Sequence, residues 1–144
     1  MKRFAVAGNL LLTAFAGVVL ADEKALKELE GTYAVTRAEK NGKVLEKAKL
    51  DTLKIAIAGD VLTITYDKKG DKQELKAKIK VDANPTPRTI DIMPADGDAK
   101  GKTFPGIYKV EKGEVTLVYT EEGDRPKEFK AENAAMLLQM KKAK

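Results

Sequence analysis

Histidine, cysteine, tryptophan and serine are all absent from this chain, and arginine occurs only at Arg3, Arg37, Arg88 and Arg125. Each absence removes a class of chemistry. Without serine, cysteine or histidine there is no serine or cysteine triad, no imidazole base and no His/Cys zinc site. Without cysteine there is no disulfide, so the fold must stand on its hydrophobic core in any redox compartment. These gaps shift the reading from catalyst towards a binding or structural protein; the residues predict no enzyme, no cofactor and no metal.

The amino end reads as an export leader over residues 1–21. Lys2 and Arg3 precede an uncharged run from Phe4 to Leu20, and Val19-Leu20-Ala21 places small residues at a cleavage site before Asp22. That run, broken by Asn9 and Thr13, is marginal for a bilayer core of about 30 Å, so cleavage rather than stable membrane insertion is expected. A lipoprotein anchor would need a cysteine at the cut. The expected location is periplasmic or extracellular. Removing 21 of 144 residues leaves 123, one domain over 22–144. Its formal charge is +3, because two of the 27 basic and none of the 22 acidic residues lie in the leader. That value suits solubility, not nucleic-acid binding.

Residues 22–30 carry Ala25, Leu26 and Leu29 at helical spacing, ended by Gly31. Beyond them the period is two. Leu75, Ala77, Ile79 and Val81 alternate with Lys76, Lys78 and Lys80. The same pattern recurs around Tyr33 and Val35, and in Leu53–Ile57, Val61–Tyr66, Thr89–Ile92, Gly106–Val110, Val115–Thr120 and Met136–Lys141. Gly59-Asp60, Lys69-Gly70 and Lys112-Gly113 mark tight reversals, and Asn84-Pro85-Thr86-Pro87 an extended loop. Residues 43–51 suggest a short helical turn. About eight short strands joined by hairpins predict an all-β fold, an up-and-down antiparallel barrel with a short amino-terminal helix.

Several blocks resemble a small exported domain of planctomycete bacteria, uncharacterised and described as lipocalin-like. They are Leu29-Glu30-Gly31-Thr32-Tyr33, Asn41-Gly42-Lys43, Ile90-Asp91-Ile92, Gly106-Ile107-Tyr108 and Arg125-Pro126-Lys127-Glu128-Phe129. The resemblance implies a lipocalin-like barrel and no reaction. Gly31-Thr32-Tyr33 also resembles the Gly-x-Trp signature that opens the first lipocalin strand, with Tyr33 in place of the indole that closes the barrel floor. Lys141 or Lys142 would then supply the basic partner, through a cation–π contact.

Other residues invite a site reading of their own. Asp96 and Asp98 resemble the start of a calcium loop, but Lys100 and Ile107 stand where ligands are needed. Asp91, between Ile90 and Ile92, is the most notable carboxylate for hydrolytic chemistry, and its alternation places it on the outside. Arg125 follows Gly123-Asp124 at a barrel rim, suited to a carboxylate or phosphate, or to locking its own loop. The Lys76, Lys78, Lys80 row reads as a wet strand face. Tyr33, Tyr66, Tyr108 and Tyr119 all fall on the inward phase.

An eight-stranded barrel is filled by its own side chains or holds one small ligand. The expectation is an exported, non-catalytic protein holding a small apolar or amphipathic ligand, with the four tyrosines lining the interior and Arg125 near a rim. The alternative is a packed barrel whose loops bind a protein or a cell-surface polymer.

Overall fold

The computed structural model describes residues 23–143 apart from Asn133; the leader read over residues 1–21 lies outside them. A helix over residues 23–29 (α1) leads into β1 (Gly31–Lys40), β2 (Lys43–Val44), α2 (Lys47–Leu50), β3 (Lys54–Ala58) and β4 (Val61–Lys68). There follow β5 (Asp71–Asp82), β6 (Arg88–Pro94), β7 (Phe104–Glu111), β8 (Glu114–Thr120) and β9 (Ala135–Lys142). Each strand from β3 to β8 pairs antiparallel with the next, and β1 pairs with both β3 and β9. Eight strands thus close an up-and-down barrel, and the short β2 hangs on the end of β1. Among the described residues no helix is long and apolar enough to cross a membrane.

The hairpins close where backbone chemistry allows. Lys69 and Gly70 have φ of 53° and 87°, and Lys112 and Gly113 have 48° and 79°. Two successive positive φ values match the twist of the flanking strands. Alternation then fixes the inward face of each strand. Ile55, Ile57, Leu62, Ala77, Ile79, Val81, Ile90 and Ile92 are buried, while Lys76, Lys78 and Lys80 stand in solvent. In β1 the phase shifts once. A register change between Val35 and Arg37 inserts one extra residue, so Ala38 follows Val35 inward and Arg37 remains outside.

The end of the barrel next to α1 is packed solid. Tyr33 and Tyr108 are each 1% exposed and Leu29 of α1 caps them. The Tyr33 hydroxyl donates to the Leu29 carbonyl at 2.5 Å, and Lys142 Nζ lies 5.8 Å from the centre of its ring. Of the two basic residues expected to close the floor, Lys142 makes the contact. It also donates to the Glu28 carbonyl at 3.4 Å, and Arg88 pairs with the Glu28 carboxylate at 2.6 Å. Ring, ammonium and guanidinium together seat α1 on the floor.

A second apolar cluster lies outside the barrel. Ile107, Val118, Ala135 and Leu137 point away from the interior, yet all are buried. The β8–β9 connection covers them, with Phe129 and Ala131 packed against them and Lys109 Nζ 4.9 Å from the Phe129 ring centre. Burying such side chains is worth about 1.5–3 kcal/mol each, enough to hold a long connection flat as a strap.

Candidate functional site

The half of the barrel opposite α1 is built differently. Its inward residues are mid-sized: Ile55, Leu62, Ile64, Leu117 and Leu138. Gly106 contributes no side chain to the wall at all, because β7 and β8 run too close there for one. A Cβ on Gly106 would meet the Val118 carbonyl oxygen at 2.6 Å and Tyr119 Cβ at 2.9 Å. Phe104 stacks on Tyr119 with ring centres 6.0 Å apart and planes 12° from parallel. The two rings stand against one side of the interior, and space remains beside them.

That space forms two adjoining cavities, of about 740 and 450 Å³, which share Ile55, Ile64, Tyr119 and Leu138 as wall. Both volumes lie in the range of roughly 300–1,000 Å³ that small-molecule sites occupy. The larger runs under the β2–α2 segment, walled by Val35, Ala38, Leu45 and Met136 and rimmed by charged groups. The smaller runs under the β6–β7 connection, against Phe104 and Ala99, with Tyr66 at its edge. The sequence leaves a filled interior and a ligand cavity as alternatives; the barrel is packed at its floor and hollow at its mouth.

The predicted site residues divide accordingly. Tyr66 and Tyr119 line the hollow half, Tyr119 between both cavities. Tyr33 and Tyr108 share the inward phase but lie at the floor, away from these walls. The Tyr108 hydroxyl is buried without a hydrogen-bond partner among the described residues; the nearby Arg88 guanidinium donates to the Glu28 carboxylate at 2.6 Å. Arg125 sits outside the barrel wall. It donates to the Ile90 carbonyl at 3.1 Å, the Gly106 carbonyl at 2.9 Å and the Asp91 carboxylate at 2.8 Å. It therefore rivets the strap to β6 and β7, and Asp91, outward as its alternation implies, is the other half of the rivet. Neither faces the cavities. Asp96 accepts from the Lys76 backbone N–H at 3.3 Å. No group of His, Cys, Asp or Glu placed to hold a metal occurs among the described residues.

Burial raises the Tyr33 and Tyr108 phenols above their ordinary pKa. Tyr119 is pushed up to about 12, first by burial and then by the Glu121 carboxylate. It therefore stays a neutral hydrogen-bond donor at physiological pH, and no hydrogen bond from its hydroxyl to another described residue is present. Below pH of about 10 folded and unfolded chains both keep this proton, so stability is unaffected. Between about 10 and about 12 only the unfolded chain releases it, and about 2–3 kcal/mol of stability is lost. Denaturant unfolding across that window should show the loss in the wild type and a smaller one in Tyr119→Phe.

The cavities were not legible as such in the sequence. The one available signal is the moderate bulk of the inward residues Ile55, Leu62, Ile64, Leu117 and Leu138. The outer cluster had a clearer sign, since Val118 and Leu137 put bulk on the phase that should be polar.

Comparison with family models, with curated proteins and with solved structures finds no match to this chain.

Proposed function

We propose that the protein is an exported, non-catalytic carrier that holds a small apolar or amphipathic molecule in the open half of its barrel. The observation that carries this reading is the pair of apolar-walled cavities joined at Tyr119. Eight strands enclose an interior that side chains can fill or that can hold one small ligand, and here the filling stops halfway. Tyr66 and Tyr119 supply the hydroxyls that would orient a polar end. Tyr33 and Tyr108 serve the site indirectly, as the floor on which the walls stand, and Arg125 holds the strap that backs β7–β9.

Native mass spectrometry of the protein purified gently from its own exported fraction tests the proposal. A defined added mass that disappears on denaturation is the expected result. Leu138→Trp, which fills the wall shared by both cavities, should abolish that mass or weaken binding more than about tenfold (about 1.4 kcal/mol) while leaving the barrel folded by circular dichroism. A bare mass in the wild type would turn the reading to a packed module whose loops bind a protein or surface polymer.

A further inference from the structure

The charges around the mouth are not evenly paired. On the rim of the larger cavity stand Glu39, Lys40, Lys43, Glu46 and Lys49. Glu39 is held by Arg37 at 2.8 Å, and Lys40 by Glu121 at 3.5 Å. Lys43 and Lys49 form no ion pair among the described residues, which sets two ammonium groups against the single carboxylate of Glu46. Val44 between them is 53% exposed, and Leu45 packs on the core below. This rim therefore passes from cation to exposed apolar side chain to buried apolar wall.

The rim of the smaller cavity has the opposite balance. Lys76 is paired with Glu74 at 3.8 Å, Glu121 is taken by Lys40, and Asp96 accepts a backbone N–H. Asp98 is left. Between the two lies the Tyr119 hydroxyl, a donor without a partner among the described residues. A negatively charged oxygen accepts from both phenol and ammonium donors, and charge-assisted bonds of this kind are the stronger ones. A cationic head would meet like charge at Lys43 and Lys49.

Resting on the carrier reading above, we propose that the ligand is an anionic single-chain amphiphile. Its charged head sits between Lys43 and Lys49, and its hydrocarbon passes under Leu45 to the wall of Ile55, Ile64 and Leu138. The acidic rim at Asp98 disfavours the reverse orientation. Exposed lysines steer the head and contribute modestly, because solvent screens them; the chain supplies most of the affinity through apolar burial. Selectivity among chain-matched ligands therefore reads the rim, and affinity reads the wall.

The test uses the mature chain and the neutral dye N-phenylnaphthylamine, displaced by decanoate or decyltrimethylammonium, each below its micellar concentration, or by decan-1-ol below its solubility limit. Decanoate should displace the dye at concentrations about tenfold lower than the cation does. In Lys43→Glu/Lys49→Glu that preference should vanish or reverse, with decan-1-ol unchanged and the circular dichroism spectrum kept. Raising salt should shrink the preference in the wild type. If decanoate binds no better than the cation, or its advantage survives charge reversal, the head-group assignment is overturned while the carrier reading stands. If neither dye nor any amphiphile binds, the carrier reading falls and takes the assignment with it.

Discussion

Tyr33→Ala is expected to lower the unfolding free energy by about 3–5 kcal/mol, the scale of truncating a large buried aromatic. The ring is 1% exposed, so its removal leaves a void that three elements cannot fill together. β1 pairs here with both β3 and β9, at Ile55 and Lys142, and the floor helix rests on the same ring. The hydroxyl bond to Leu29 goes with it, as does the ring beneath Lys142. Tyr33→Phe separates these contributions: it keeps the ring and should cost only about 0.5–1.5 kcal/mol for the hydrogen bond. Urea unfolding of both variants gives the two numbers. A loss below about 1 kcal/mol for alanine, well short of the usual truncation cost, would mean that the floor is held elsewhere.

The second large effect belongs to Gly106, where the obstacle to any side chain is lack of space. The Val118 carbonyl oxygen lies 2.6 Å from the point a β-carbon would occupy. A carbonyl locked in the β7–β8 ladder cannot swing aside as a side chain would. Gly106→Val must part the two strands, which stack Phe104 on Tyr119 and present the Gly106 carbonyl to Arg125. Overpacking of this kind costs about 1–3 kcal/mol, at times more, and the strap rivet is strained with it. The expected result is a loss at the upper end of that range with a weakened strap, seen as faster proteolysis in residues 121–134. Gly106→Ala should show the same pattern at smaller amplitude. A neutral outcome for valine would show that β7 and β8 have slack the geometry does not suggest.

Much of the barrel was legible because most of its strands, β1 apart, alternate without a change of phase. Leu75, Ala77, Ile79 and Val81 against three lysines leave one choice of face, and Lys69-Gly70 and Lys112-Gly113 state where the chain turns. Three things were not legible, each for a physical reason. The bulge between Val35 and Arg37 changes phase in one residue and leaves no compositional mark. The height of a side chain along the barrel depends on register, which alternation does not encode; hence Tyr33 and Tyr108 fall at the floor and Tyr66 and Tyr119 at the mouth, although all four share the inward phase. The role of Arg125 depended on where the β8–β9 connection lies. As a sequence it reads as a rim loop, and only the apolar outer faces of Ile107, Val118 and Leu137 explain why it folds back along the wall.

The ring closes through β1 and β9, whereas its other junctions join strands that follow one another along the chain, β2 and α2 being a short excursion. The meander can therefore assemble by local pairing, but the last seam demands contact between the first strand and the final one, at the largest loop-closure cost in the molecule. Without that seam the sheet would have two free edges, each able to accept a strand from another molecule. Once Met140 meets Val35 and Ala143 donates its backbone N–H to the Thr32 carbonyl at 2.7 Å, both edges vanish together. Closure of this one seam thus protects both edges at once, and Tyr33 and Lys142 pair across it.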